Sequence, residues 1–305
     1  MTDITVIIVV KGNPPHLSEA LSSIKHFASE IIMGTIDADP LVLEELGTNK
    51  KIRIVPLDSS VPYADMVKED LKKIAHGNYI LYMDPDEIFP KNALPILRKK
   101  MSEADYFFFP RKNIIFGKWI EHSRWWPDYQ LKFFKKNSVV WPKQIHPIPI
   151  TQGVKFTFSP EEEFAILHYN YESLDEYFEK AFRYAKSEAK QLVKENKTLS
   201  LGTTSKKALS EFISRFFAFE GYRDGIHGLI LSILQMFYYF LIYIYYWEEK
   251  KYPKIDREEM LTETRKFYIT GMKETDHWLA DKKLISNMDR IKIKLLHTVL
   301  KILCI

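Results

Sequence analysis

The amino-acid sequence predicts an α/β protein: a mixed sheet with helices on both faces, followed by a helical C-terminal region. Three observations carry that expectation. Strand-like and helix-like segments alternate up to about residue 100. Strand-like runs separated by prolines and polar turns then continue to about residue 171. From there the pattern is helical and includes a long apolar run at 226–247.

Each element has its own signal. "ITVIIVV" (4–10) is a continuous β-branched run, as in a strand buried on both faces. In "HLSEALSSIKHF" (16–27), Leu17, Ala20, Leu21, Ile24 and Phe27 recur at helical spacing. "SEIIMG" and "KIRIVPL" read as further strands, and "YADMVKEDLKKIAHGN" as a helix closed by Gly77 that leads into the strand "YILYMD". Strand, helix, strand, repeated, predicts mainly parallel pairing in this half. "DYFFFPRKNIIFG", "YQLKFFKK", "VKFTF" and "FAILHYNY" read as antiparallel or edge strands. "SLDEYFEKAFRYAKSEAKQLVKEN" (173–196) predicts an amphipathic helix. Ser173 and Glu176 would form its capping box, and Leu174, Phe178, Ala181, Phe182, Ala185, Ala189 and Leu192 its apolar face. The expected domains are 1–170, an α/β domain; 171–225, amphipathic helices closing it; and 226–305, a helical region.

With 46% apolar residues and mixed charge, the 305-residue chain is not globally disordered. A net charge of +4 suits an anionic ligand or membrane surface and does not call for nucleic acid. Cys304 is the only cysteine, which excludes an intrachain disulfide and a cysteine-rich metal site and favours a reducing, cytosolic setting. The start "MTDITVIIVVKGN" has no basic leader and reads as a strand instead of a signal peptide.

Between His227 and Glu248 there is no charged residue, and that length suffices to cross a bilayer. Tyr and Trp crowd its carboxyl end, as at a membrane interface. Lys206, Lys207, Arg215 and Arg223 precede it and Lys250, Lys251 and Lys254 follow it, so charge assigns no orientation. The tail "RIKIKLLHTVLKILCI" (290–305) has the basic, apolar character of a helix that lies on anionic lipid. An in-plane or re-entrant helix, a single span and a buried core helix remain open for 226–247. The expected location is the cytoplasmic face of a membrane, peripheral, monotopic or single-span.

"YILYMDPDE" (79–87) ends an apolar strand in Asp84, Asp86 and Glu87. A solvated turn is one reading. A calcium loop is a poor one, because the ladder of oxygen ligands and the turn glycine are missing. The third is a divalent-metal and diphosphate site, since paired carboxylates at a strand's carboxyl end sit where open α/β sheets bind ligands.

At these residues the chain resembles family-2 nucleotide-sugar glycosyltransferases with the GT-A (Rossmann-like) fold, and "DPDE" resembles their DXD motif. "ITVIIVVKGNPPHLSEALSSIKHFASEII" resembles their opening strand, Asn-bearing loop, helix and second strand. "WWPDYQLKFFKK" with "QIHPIPI" resembles the segment after the donor site, and "LHYNYESLDEYFEKAFRYAKSEA" the exit strand and helix. "FEGYRDGIHGLILSILQMFYYFLIYIYYWE" resembles the membrane-proximal tail of the lipopolysaccharide-core β-glucosyltransferase branch. Two segments depart from the pattern. "MGTIDADP" puts Thr35 where the uracil-contacting Asp is expected, and "YADMVKED" replaces the usual Gln-Arg-Asn motif.

The resemblance implies an inverting transfer of a sugar from a nucleoside-diphosphate donor, a UDP-sugar above all, to a glycan or lipid-linked acceptor at the membrane. Asp84 and Asp86, with His146, would hold Mg²⁺ or Mn²⁺; Asn13, Asp37, Asp39, Asp84 and Arg124 would contact the donor. Asp128 would be the base that takes the acceptor proton, and Trp125, Trp126 and Tyr129 would stack on the acceptor. Lys132 is a candidate for phosphate contact, and His168 competes with His146 as the metal histidine. Two rivals stand beside this reading. One is transfer to a polyprenyl phosphate held by Arg215 and Arg223; the other is a non-catalytic scaffold that keeps the sugar-nucleotide fold.

Overall fold

The structure, a computed structural model, describes residues 3–61, 64–142 and 148–302. These form two compact units: residues 1–115 with 126–170, and residues 116–125 with 171–305. Residues 116–125 thus cluster with the C-terminal helices, although the sequence pattern assigns them to the first domain.

The first unit is built on four parallel strands, β1 (Ile4–Lys11), β2 (Glu30–Ile36), β3 (Ile52–Pro56) and β4 (Tyr79–Met83). Helices α1 (Leu17–Ile24), α2 (Pro40–Gly47) and α3 (Lys68–Ile74) connect them. After β5 (Glu87–Ile88) and α4 (Ala93–Lys100), the chain forms β6 (Tyr106–Phe109) and β7 (Arg111–Ile115), split at Pro110. In the second unit, β8 is Lys118–Trp119. The first unit resumes with β9 (Gln130–Lys135), β10 (Val139–Val140), β11 (Ile150–Thr151), β12 (Lys155–Thr157) and β13 (Ile166–Tyr171).

The main sheet runs β12-β6-β9-β4-β1-β2-β3, and β9 is antiparallel to both its neighbours. The sheet is therefore mixed and largely parallel. Both faces are covered, which is why its central strands are apolar throughout. On β1, Ile4, Val6, Ile8 and Val10 enter one core cluster and Ile7 the other; on β4, Tyr79, Leu81 and Met83 alternate with Ile80 and Tyr82 in the same way.

One expected helix end differs. The helix before β4 stops at Ile74, and Gly77 does not close it. Gly77 is needed for close approach: a Cβ there would lie 2.6 Å from Thr5 N and 2.8 Å from Asp3 O, in the backbone that pairs with β4.

The second unit is helical: α5 (Leu174–Lys194), α6 (Leu201–Ile213), α7 (Ile226–Glu249), α8 (Arg257–Asp281) and α9 (Asn287–Ile302). Ser173 caps α5 by accepting from Glu176 N–H, while the Glu176 carboxylate reaches Glu172 N–H, one residue before the cap. The buried face of α5 is Tyr177, Ala181, Ala185 and Ala189, and the first three pack with Leu234, Leu241 and Ile242 of α7. Leu174 and Phe182, expected on that face, are exposed. Small alanines let α7 come close, and the bulky residues flank the contact.

Helix α7 is long and apolar enough to cross a membrane, with a mean hydropathy of 1.7 over its most apolar window. Only 33% of that window is buried, so a fully enclosed core helix does not describe it. Ile226, Ile233, Phe237 and Ile244 form an exposed apolar stripe on one face. On α9, Met288, Ile291 and Leu295 are likewise exposed at helical spacing.

Candidate active site

Parallel pairing brings three loops to one edge of the first unit. Val10 and Lys11 face Thr35 and Ile36, and Ile8 faces Met83, so Asn13, residues 37–39 and residues 84–87 all follow strand carboxyl ends. Gly12 and Asp39 join the first two loops: Gly12 N–H donates to Ile36 O at 3.4 Å and Asp39 N–H to Gly12 O at 3.2 Å. Asn13 and Asp37 are exposed. Asp39 Oδ1 accepts from Leu41 N–H at 2.8 Å and so caps the first turn of α2. Thr35 is buried in β2.

Because β9 runs antiparallel beside β4, with Leu81 opposite Phe133, the start of β9 reaches the acidic loop at the end of β4. Lys132 is buried there and donates to Asp84 Oδ2 at 2.9 Å and Glu87 Oε2 at 2.6 Å. Glu87 is fully buried; its Oε2 also accepts from Asp84 N–H at 3.0 Å, and its Oε1 lies 3.5 Å from Arg111 Nη1. The guanidinium of Arg111 continues to Asp128, with Nη2 2.6 Å and Nε 2.8 Å from Oδ2. Carboxylates and cations alternate from Asp84 through Lys132, Glu87 and Arg111 to Asp128. Such burial is tolerable only when every charge is paired.

A second path runs from Asp86 to Asp128. His168 on β13 pairs opposite Glu87 on β5, which sets its Nε2 3.7 Å from Asp86 Oδ2. Its Nδ1 is 2.7 Å from Asn113 Oδ1, an oxygen that accepts from Nδ1–H, and Nε2 is the ring nitrogen on the Asp86 side. Asn113 Nδ2 donates to Asp128 Oδ2 at 3.1 Å, and Gln130 Nε2 to Asp128 Oδ1 at 2.7 Å.

These contacts set the charge states. Burial alone would raise the Asp84 carboxyl, but the Lys132 ammonium, with Lys68 and His168 behind it, holds it well below its ordinary value of 3.8. Asp128 follows the same logic: burial works upward, the Arg111 charge and the bonds from Asn113, Arg111 and Gln130 work downward, and the result is lowered. Burial pulls Lys132 down and Asp84 and Glu87 push it up, and the raised outcome keeps it charged.

Among these groups, Asp86 with His168 could hold a divalent cation. Carboxylate suits Mn²⁺ or Mg²⁺ and imidazole suits transition metals, so the pair favours Mn²⁺ over Mg²⁺, and one or two protein ligands are usual where substrate phosphates complete the shell. Among the described residues no group of three or more His, Cys, Asp and Glu gathers as a metal cluster. His146 lies outside the described residues. Asp84, expected to share the ion, instead faces Lys132.

Other expected site residues are distributed as follows. Trp126 and Tyr129 precede β9 in the first unit and are half-buried. Arg124 and Trp125 belong to the second unit. There the Arg124 guanidinium bonds Ser214, lies 3.9 Å from Glu211 and stacks 4.4 Å over Phe219, and Arg215 sits 5.8 Å from the Trp125 ring. Arg124 is thus engaged by its own unit. Arg111 and Asn113 went unnoticed in the sequence. "PRKN" after an aromatic strand looks like an ordinary turn, and no spacing rule points from 111 to 128.

No protein-family model matches the chain. It is similar to an uncharacterized glycosyltransferase of Rickettsia conorii, 21% identical over 257 residues, which covers 78% of this chain and 87% of that protein. An uncharacterized glycosyltransferase of Rickettsia felis is 22% identical over 258 residues, covering 79% and 88%. Among solved structures, S. aureus TarS 1–349 is similar over 72% of each chain at 15% identity and a TM-score of 0.40. The same fragment in complex with UDP is similar over 84% of this chain and 94% of that one, at 14% identity and a TM-score of 0.43. At those scores the structural likeness carries no weight for the site.

Proposed function

We propose that this chain is a metal-dependent, inverting glycosyltransferase that uses a nucleoside-diphosphate sugar and a glycan or lipid-linked acceptor at a membrane surface. One observation carries the reading: Asp84, Asp86, His168 and Asp128 gather in a single unit at the carboxyl edge of the parallel strands, linked through hydrogen bonds and ion-pair distances. The Rickettsia proteins, similar across most of both chains, support the transferase class.

In this reading Asp86 and His168 hold the divalent cation, and His168 takes the role first considered for His146. When bound, the cation neutralises the departing diphosphate. Asn13 and the 37–39 loop flank the nucleotide. Asp128 receives the proton of the attacking acceptor hydroxyl. Its Oδ2 is occupied by Arg111 and Asn113, whereas its Oδ1 takes Gln130 and keeps a second lone pair for that proton. The depressed pKa keeps Asp128 ionised, and proton transfer then comes late, as the oxygen loses electron density to the anomeric carbon.

The exposed stripes of α7 and α9 support attachment to a membrane, with Lys292 beside the apolar face of α9 exposed to meet anionic headgroups. Transfer to a polyprenyl phosphate fits less well. Arg215 is tied to Glu211 at 3.2 Å and to Ser123 O at 2.9 Å, and Arg223 pairs with Glu220 at 2.9 Å. The deciding experiment is release of nucleoside diphosphate from a panel of nucleotide sugars with Mn²⁺. Turnover that persists unchanged in chelator refutes the metal-dependent reading, and a scaffold releases nothing with any donor.

A further inference from the structure

Lys132 is a buried cation that no step of this chemistry uses. Its side chain is 6% exposed, and both its carboxylate partners lie within hydrogen-bond reach. A buried ammonium is stable only against such partners, and by the same attraction it repels any second cation drawn to them. A strand ending in Asp84, Asp86 and Glu87 would be expected to share its carboxylates with a divalent ion. Instead, the chain supplies its own monovalent cation to Asp84 and Glu87. Asp86 Oδ2 has His168 Nε2 3.7 Å away.

We propose that Lys132 is a built-in counter-ion of the acidic loop and a positioning residue of the donor site. It holds Asp84 and Glu87 in place without a metal and keeps both from coordinating one. The divalent ion is left two protein ligands, Asp86 and His168. The free protein therefore binds the ion weakly, and a nucleoside diphosphate, by adding phosphate oxygens, binds together with it. By linkage, each raises the affinity for the other by the same factor. This inference rests on the metal-dependent reading of the site.

The test is Mn²⁺ binding by the full chain, read by electron paramagnetic resonance with and without UDP, beside thermal melts of each variant. Lys132→Met is expected to bind Mn²⁺ at least about tenfold more tightly than the parent without UDP. It removes a unit charge one carboxylate away from the ion, a repulsion that exceeds a factor of ten even at an effective dielectric of about 20. Lys132→Arg keeps the charge and should retain the parent's affinity. If Lys132→Met does not fold, the double variant Lys132→Met/Glu87→Gln removes one charge of each sign, frees Asp84, and should again tighten Mn²⁺ binding. A Lys132→Met variant that melts lower without binding Mn²⁺ more tightly overturns the counter-ion role, as does a Lys132→Arg variant that binds Mn²⁺ about tenfold more tightly than the parent. A parent that binds no Mn²⁺ with or without UDP overturns the metal reading itself, and this inference with it.

Discussion

Asp128→Asn separates chemistry from architecture most sharply. The substitution preserves shape but removes the negative charge facing Arg111, and one of its two positions becomes an NH₂ opposed to a donor. Asp128 accepts from Arg111, Asn113 and Gln130, and Arg111 keeps only Glu87 as a carboxylate partner once the charge is gone. Charge-assisted bonds are worth about 1.5–3 kcal/mol each, and some re-pair with the amide oxygen, so the expected loss is about 3 kcal/mol. For a domain of this size that corresponds to a fall in Tm of roughly 6–12 °C. Rate is a separate quantity. Loss of a positioned base lowers turnover by about 10²–10⁴-fold, and it does so at temperatures where the variant is fully folded.

The assay is nucleoside diphosphate release at a temperature well below the variant's melt, together with donor affinity by titration. The donor should bind within a few-fold of parental affinity, because the metal and nucleotide contacts lie on other residues. Gln130→Ala is the control. It removes a donor to the same carboxylate and should cost about 1 kcal/mol while leaving turnover within about tenfold. A folded Asp128→Asn protein with near-parental turnover refutes the base assignment. Equal losses in donor affinity and rate would assign Asp128 to architecture alone.

Other outcomes follow from the same contacts. Asp86→Asn, with the melt nearly unchanged, and His168→Ala, with a lower melt because it empties a buried site and strips Asn113 Oδ1 of a partner, should each abolish detectable Mn²⁺ binding in the presence of UDP, and a bound ion in both variants would contradict the donor set. Asp84 and Asp128 have folded pKa values below the unfolded 3.8, so their stabilisation is present above that value and is lost as pH falls through the folded values. The melting temperature should therefore stay level from neutral pH to about 5 and fall below about 4, and the Asp128→Asn deficit should shrink over that lower range; a deficit that does not change with pH argues against the depressed carboxyl. Gly77→Ala should cost about 1–3 kcal/mol in chemical denaturation, because its methyl meets the backbone of Thr5 and Asp3. Removal of residues 287–302 should weaken sedimentation with anionic vesicles, and raising salt from about 0.05 to about 0.5 M should weaken the parent's binding too; a protein indifferent to both contradicts the membrane reading.

What was legible in the sequence was what local pattern encodes. A β-branched run such as "ITVIIVV" has one physical solution, a strand covered on both faces, and β1 adopts it with residues in two core clusters. The apolar helix at 226–249 is similarly forced by composition. The α5 face was half legible. Periodicity placed Ala181, Ala185 and Ala189 on the face correctly, but it added Leu174 and Phe182, which are exposed, and passed over Tyr177, because close helix approach rewards small side chains as much as apolar ones.

The interior of the site was not legible, and register is the reason. Whether Lys132 meets Asp84 depends on β9 running antiparallel beside β4 with Leu81 opposite Phe133. A shift of one residue would turn Lys132 to the other face of the sheet. His168 meets Asp86 only because it sits opposite Glu87 on a short strand formed by the acidic loop itself. Read alone, it is one histidine in an apolar strand, and a loop histidine between prolines looked the better ligand. The acids advertised a cation site from the sequence, but their composition is equally satisfied by a lysine from a neighbouring strand. Which cation each carboxylate holds is decided by pairings across β4, β9 and β13, and so is the charge left over to attract a metal and a diphosphate.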